Sequence, residues 1–156
     1  MKFTIIAVGK LKEKFWTAAC NEYLKRLGAY ARTSVVEVAD VDPNRVGGDA
    51  EAVEREGASI LRAIPERSHV VLMAIEGKEQ SSEELAKRID ALALSGTSDI
   101  TFILGGSCGV SEAVRGRADE AWSFGPITLP HNLARVVLLE QLYRSRKISR
   151  GEPYHK

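Results

Sequence analysis

Short apolar runs alternate along this 156-residue chain with segments whose apolar residues recur every three or four positions. The apolar runs predict strands, and the segments with helical spacing predict helices. The predicted strands cover residues 3–8, 34–38, 69–75, 100–104 and, as a short fifth, 121–123. The predicted helices cover about 14–29, 50–64, 81–94, 110–117 and 133–147. This alternation favours an α/β fold with a five-stranded, mostly parallel sheet and helices on both faces.

Two glycines and the last helix complicate this pattern. Gly57 falls on the apolar face of the second predicted helix, where a glycine costs about 1 kcal/mol relative to alanine. Gly77 and Lys78 predict a turn after the third strand. The last helix is apolar around most of its circumference, so it must be buried on more than one side, and one side would face a second subunit.

Length and composition favour one domain that spans residues 1–156. A formal net charge of +1 excludes an all-over basic or acidic surface as the recognition device. The charge is nevertheless polarised, since residues 131–156 hold six basic and two acidic side chains. Cys20 and Cys108 lie far apart and outside any CxxC pair, which argues against a zinc site or a disulfide framework. Because the N-terminal apolar run is too short for a signal peptide, we expect a soluble cytoplasmic protein.

A glycine cluster, Gly105-Gly106-Ser107-Cys108-Gly109, follows the fourth predicted strand. Ligands of open α/β sheets bind at the carboxyl ends of strands, and adjacent glycines let a backbone approach a ligand closely. A tight turn that needs positive φ explains the same residues as well. The cluster is not GxGxxG, and Gly9 stands alone after the first strand, so a Rossmann dehydrogenase and a P-loop NTPase are disfavoured.

Two later segments could also carry chemistry. The irregular segment Phe124–Leu129 is unusually apolar for a loop, so it either packs against the protein or wraps a ligand. A C-terminal group of basic and aromatic residues suits phosphate contact and base stacking, although basic residues at a helix end also complement the helix dipole. That group comprises His131, Arg135, Tyr143, Arg144, Arg146, Lys147, Arg150, Tyr154, His155 and Lys156. His69 is interpreted as structural and Cys108 as an unreactive thiol.

Over its whole length the chain resembles the minimal SPOUT-class methyltransferases, which methylate N3 of a pseudouridine in 23S ribosomal RNA. The motifs that carry the resemblance are Ile5–Lys10, Glu22–Tyr23, Lys25–Arg26, Gly77–Lys78, Leu104–Gly106 with Gly109, Leu129–His131, Arg135–Val136, Glu140–Arg144 and Pro153–His155. The resemblance implies a C-terminal trefoil knot, an obligate homodimer, and S-adenosylmethionine as methyl donor, without a metal. Composition would not have predicted the knot, because knots are nearly absent from proteins.

The resemblance also implies roles for particular residues. Carried over by position, the donor contacts are Met73, Gly105, Phe124, Gly125, Pro126, Ile127, Thr128 and Leu129. Met73 stands where the family often has leucine, a volume-conserving change that keeps an apolar contact. As hypotheses, His155 or a water that it orients removes the N3 proton, with His131 as the rival base. Tyr154 would position the nucleobase, and Arg144 would contact phosphate or stabilise the anion that forms on the nucleobase.

The implied partners are 23S rRNA, presented by the folded ribosome, and a second copy of the chain, with neither membrane nor DNA involved. One alternative is a 2′-O-ribose methyltransferase of the same class. The other is a ribosome-binding assembly factor that keeps the fold but does not catalyse. Affinity for the methyl donor would separate this factor from either enzyme.

Overall fold

A computed structural model describes residues 1–155 of the chain. Within these residues, five strands alternate with five α-helices, and a short 3₁₀ turn lies at Pro43–Arg45. The strands are β1 (Lys2–Val8), β2 (Arg32–Val38), β3 (His69–Glu79), β4 (Asp99–Leu104) and β5 (Glu120–Ser123). The helices are α1 (Lys14–Leu27), α2 (Asp49–Ala63), α3 (Ser82–Leu94), α4 (Glu112–Arg117) and α5 (His131–Ser149). Each predicted strand and helix is present, with ends shifted by a few residues.

The five strands form one sheet in the order β2-β1-β4-β3-β5. Each neighbouring pair among them is parallel, so the predicted parallel sheet is confirmed. Because the strands run in one direction, their carboxyl ends lie at the same edge of the sheet. Ligands of open α/β sheets bind at this edge, which locates the search for a site.

Helices cover both faces of the sheet. On one face, α1, α3 and α5 pack against a cluster that includes Phe3 and Phe102 from the central strands. On the other face, α2 and α4 pack against a smaller cluster that includes Ile6 and Ile103. Burial on both faces explains why the strands read as nearly continuous apolar runs rather than as alternating ones.

The last helix, α5, lies between α1 and α3 and contacts both. Its Leu138, Leu139 and Leu142 are fully buried in the larger cluster. Neighbours within the chain therefore explain most of its all-round apolar character, and a second subunit is not needed for this. Val136 and Val137 remain only half-buried on the same helix.

The predicted turn at Gly77 and Lys78 is wrong. β3 continues through both residues to Glu79, and its register with β5 shifts between Met73 and Lys78. A Cβ on Gly77 would lie 2.6 Å from the carbonyl carbon of Trp122 in β5. The glycine therefore permits a close approach of two backbones inside the sheet instead of a reversal of the chain.

Among residues 1–155, none of the helices combines the length and the apolar character that a membrane span requires.

Candidate functional site

A cavity of about 480 Å³ opens at the carboxyl edge of the sheet, a size typical of small-molecule sites. Three segments form most of its wall: residues 73–76 of β3, the glycine cluster after β4, and residues 123–131 between β5 and α5. The walls therefore come from the ends of neighbouring strands, as expected for a parallel sheet.

Gly105 and Gly106 form the wall at the end of β4. A Cβ on Gly105 would lie 2.5 Å from Cγ1 of Val110, and a Cβ on Gly106 would lie 2.6 Å from Oε2 of Glu56. Close packing therefore requires glycine at both positions. Gly109, in contrast, has a φ of 93° and closes a turn through its amide, which donates to the Gly106 carbonyl at 3.1 Å. The turn explanation thus applies to Gly109, whereas Gly105 and Gly106 make room for neighbouring protein side chains.

The start of the apolar loop Phe124–Leu129 is held by Ser123, the last residue of β5. The Ser123 hydroxyl donates to the Ile75 carbonyl at 2.8 Å and accepts from the Gly125 amide at 3.0 Å. Gly125 has a φ of 103°, a conformation that residues with a side chain rarely adopt. These contacts direct the loop across the opening of the cavity.

Farther along the loop, backbone groups are available to a ligand. Among residues 1–155, the amides of Ile127, Thr128 and Leu129 donate no hydrogen bond. Ile127 is also one of the few large apolar side chains that are mainly exposed, at 58%. A ligand with polar atoms would find both donors and apolar surface in this wall.

Seven of the eight residues predicted to contact a methyl donor line this cavity. They are Met73, Gly105, Phe124, Gly125, Ile127, Thr128 and Leu129. Pro126 belongs to the same loop but does not line the cavity.

Three further side chains reach the cavity wall. His131, the first residue of α5, lines it, and its Nε2 lies 3.8 Å from where a Cβ on Gly9 would be. Arg115 of α4 and Glu76 of β3 also line it and form an ion pair. Sequence reasoning missed this pair, because the two residues lie 39 positions apart and only the fold brings them together.

Three predicted catalytic residues near the C-terminus form a separate hydrogen-bonded cluster with Glu140 and Glu83, here called the tail cluster. They are Arg144, Tyr154 and His155. Arg144 donates to Glu140 at 2.6 and 2.9 Å, and the Tyr154 hydroxyl donates to the same oxygen at 3.1 Å. The guanidinium of Arg144 also lies 4.6 Å from the centre of the Tyr154 ring. His155 Nε2 lies 2.7 Å from Oε1 of Glu83, and its Nδ1 lies 3.4 Å from Nη1 of Arg144.

The surroundings of this cluster set its protonation. Burial raises the pKa of Tyr154 to about 12, with further contributions from Tyr23 and Glu140. The hydrogen bond to Glu140 raises the pKa of Arg144. Tyr154 therefore keeps its proton at neutral pH. Because an arginine can only donate, a hydrogen bond between Arg144 and His155 requires Nδ1 of the histidine as the acceptor.

Neither Arg144, Tyr154 nor His155 lines the cavity of its own chain. Of the four predicted catalytic residues, the structure brings only His131 together with the predicted donor contacts.

Two arginines of the predicted RNA-contact group are buried. Arg135 is 3% exposed and donates to Glu37 at 2.8 Å and to the Gly9 carbonyl at 3.0 Å. Arg146 is 8% exposed and donates to Asp90 at 2.9 Å. The expectation that these two contact RNA is therefore corrected, since both join elements of the fold. Lys156 lies outside the described residues.

Other reactive side chains have structural surroundings. His69 Nε2 lies 2.8 Å from Oε1 of Glu120, which joins β3 to β5. Cys20 is buried and Cys108 is exposed, and both are free thiols. Residues 1–155 contain no group of three or more His, Cys, Asp or Glu side chains arranged to hold a metal ion.

The parallel sheet, with its cavity between a glycine cluster and an apolar loop, defines an α/β protein with a cavity of small-molecule size at its strand ends. A family model described as "Predicted SPOUT methyltransferase" matches residues 1–155. The chain belongs to this family and is therefore a methyltransferase.

Several relatives share the full length of the chain. Proteins named "Ribosomal RNA large subunit methyltransferase H" are 54% identical in Listeria monocytogenes serotype 4a (strain HCC23), 50% in Bacillus thuringiensis subsp. konkukian and 49% in Latilactobacillus sakei. Each alignment covers 100% of both proteins. Among solved structures, the SpoU methyltransferase AviRb from Streptomyces viridochromogenes, in complex with AdoMet, matches with a TM-score of 0.47 and 15% identity. That match covers 93% of this chain and 58% of AviRb.

Proposed function

We propose that this protein transfers a methyl group from S-adenosylmethionine to N3 of a pseudouridine in 23S ribosomal RNA, namely pseudouridine 1915. Membership of the SPOUT family supports the reaction class. The names of relatives that are 49–54% identical support large-subunit rRNA as substrate. The observation that carries the proposal is the cavity at the carboxyl edge of the sheet, here called the donor cavity, because seven of eight expected donor contacts line it.

The residues of the donor cavity fit an adenosine that bears a sulfonium. Met73, Phe124 and Leu129 supply apolar surface for the adenine and ribose. Gly105 lies in the wall and lets Val110, another lining residue, pack closely against the end of β4. The free amides of residues 127–129 can bind the polar atoms of the ligand.

The bound donor supplies a methyl group on a cationic sulphur, so the electrophile needs no activation by the protein. The protein must align the acceptor and remove its proton. Transfer requires the lone pair of N3 in line with the methyl group at about 3 Å. The N3–H of the base is a weak acid near pH 7, so a general base speeds the step.

The tail cluster supplies groups for this task. Tyr154, whose pKa of about 12 keeps it protonated and whose hydroxyl donates to Glu140, positions the nucleobase. Arg144 contacts phosphate or stabilises the anion that forms on the base. His155, or a water that it orients, takes the proton once the contact of Nδ1 with Arg144 opens. His131 is the rival base, and it lies in the wall of the donor cavity.

We propose that the active form is a homodimer with a composite site. The tail cluster and the donor cavity do not meet within one chain, so the tail of one protomer would complete the cavity of its partner. The half-buried Val136 and Val137 and the exposed Ile127 offer apolar surface for such an interface. Action on the ribosome would place the protein in the cytoplasm.

The trefoil knot is proposed on the course of the last third of the chain. After β5, at one edge of the sheet, residues 124–130 pass the ends of β3 and β4. His131 then lies over Gly9 at the end of β1. This return of the chain across the ends of earlier strands supports the proposed threading.

Mass mapping of ribosomal RNA from a deletion strain tests the proposed reaction. We expect 23S rRNA to lack one methyl group, at N3 of one pseudouridine, and the purified protein with donor to restore it. Loss of a 2′-O-methyl mark would instead identify the ribose methyltransferase. Calorimetry that detects no affinity for the donor, with all marks intact, would identify the assembly factor.

Single-turnover methylation by His155→Ala and His131→Ala tests the general base. We expect the variant that lacks the base to transfer methyl about 10²-fold more slowly, because general-base catalysis contributes that order of rate. Donor affinity of each variant, measured by calorimetry, is the control for loss of binding. Unchanged rates in both variants would remove histidine from the mechanism.

A further inference from the structure

The carboxyl group of Glu56, on α2, is buried beneath the donor cavity. Glu56 is only 6% exposed. Its Oε1 accepts a hydrogen bond from the Val41 amide at 2.9 Å. Its Oε2 is buried as well and has no hydrogen-bond partner among residues 1–155. Because burying an unpaired oxygen of a carboxyl group is costly, its persistence calls for an explanation.

Only a glycine separates this oxygen from the cavity. The Oε2 atom would lie 2.6 Å from a Cβ on Gly106, whose backbone lines the donor cavity. Any other residue at 106 would push the carboxyl group away from the cavity wall.

The neighbouring Gly57 brings α2 equally close to the other end of the same loop. A Cβ on Gly57 would lie 2.3 Å from Oγ of Ser111, the residue that caps α4. The pair Glu56–Gly57 therefore supports both ends of the segment 106–111. This accounts for a glycine that sequence reasoning could interpret only as a weak point in α2.

The carboxylate of Glu56, unpaired among the described residues, lies beneath the cavity wall and favours a cationic ligand. Glu76 and Arg115, the ion pair in the cavity wall, neutralise each other, whereas Glu56 forms no ion pair within residues 1–155. A carboxylate acts more strongly through a buried, poorly hydrated wall than through water. The sulfonium of the donor is a cation, whereas the thioether left after methyl transfer is neutral.

We propose that Glu56 is a specificity-determining residue that makes the cavity prefer the cationic donor over the neutral product. This inference rests on the proposed function. The carboxylate acts through the Gly106 backbone without touching the ligand. Transfer of the methyl group cancels the attraction, so the product leaves and the next donor binds.

Calorimetry on Glu56→Gln tests this role with three ligands: S-adenosylmethionine, S-adenosylhomocysteine, and an analogue in which an ammonium replaces the sulfonium. We expect affinity for the two cations to fall about tenfold and affinity for the neutral product to change less than about twofold. Glu54→Gln is the matched control, because it removes the same charge from an exposed site on α2 and should alter none of the three affinities.

Other outcomes would overturn the proposal. An equal loss for all three ligands would make Glu56 a purely structural support, and unchanged affinities would remove it from the site. If Glu56→Gln does not fold, Glu56→Asp tests the same point, because it retracts the charge from Gly106 and should lower the preference for cations. An unchanged preference in a folded Asp variant would also contradict the proposal. If the wild-type protein binds none of the three ligands, the proposed function itself would be refuted.

Discussion

Gly105 lies where β4 ends and the donor cavity begins. Because it has no side chain, a substitution there should affect donor binding. Gly105→Ala places a methyl group 2.5 Å from Cγ1 of Val110, a β-branched residue that cannot easily turn away. We expect the clash, worth about 1–3 kcal/mol, to displace the loop and weaken donor binding about tenfold. Calorimetry checks this. Val110→Ala in the same chain should recover most of the affinity, and Gly116→Ala, which meets no atom within 4 Å, should not change it.

At the scale of residues, the sequence predicted which segments meet at one cavity, but it did not predict the surroundings of the arginines. Loop residues such as Phe124 and Leu129, which were assigned through the family resemblance, line the cavity. Arg135 and Arg146 are buried because their partners, Glu37 and Asp90, come from distant elements. No sequence pattern pointed to Glu56, since its place beside the cavity depends on the close approach of Gly106 in the folded chain.

At the scale of elements, Glu120 joins three of them and makes β5 sensitive to acid. Its carboxylate, in β5, accepts hydrogen bonds from Arg88 of α3 at 2.9 Å and from Trp122 at 2.9 Å, and contacts His69 of β3. Burial opposes its ionisation, but these donors prevail and lower its pKa from 4.5 to about 2.

A carboxylate with a depressed pKa stabilises the fold above its unfolded pKa and loses that effect as the pH falls through its folded value. We therefore expect Glu120 to contribute up to about 3 kcal/mol near neutral pH and to lose this between pH 4.5 and 2. Denaturant unfolding at a series of pH values measures it. Glu120→Gln should flatten the dependence in this range, and the exposed Glu66→Gln should not. Equal pH profiles for wild type and Glu120→Gln would contradict the assignment.

The bounds of β3 show why element ends were harder to predict than the elements themselves. Periodicity identified its apolar half up to Ile75. The extension to Glu79 depends on pairing with β5, whose Trp122 backbone packs against Gly77. A contact between residues 45 positions apart leaves no local pattern, and a glycine followed by lysine is typical of a turn.

At the scale of the whole molecule, the separation of the tail cluster from the donor cavity predicts complementation between protomers. Gly105→Trp should block the cavity, and Arg144→Ala should disable the tail. If one protomer's tail completes its partner's cavity, a mixed dimer of these inactive variants holds one intact site. Equal mixing should then restore about a quarter of the wild-type activity, since half of the dimers are mixed. Methylation assays after co-expression with two affinity tags measure this. A mixture that stays inactive would place the whole site within one chain.

The position of α5 also constrains how the molecule is made. The larger cluster, which contains Phe3 and Phe102, is completed by Leu138, Leu139 and Leu142 of α5. The side chains of the first strand are therefore fully buried only after the last helix has packed. A nascent or truncated chain that ends before α5 would expose hydrophobic surface on α1 and α3. Such a surface promotes aggregation and binding by chaperones. We therefore expect a chain truncated before α5 to leave its larger hydrophobic cluster open.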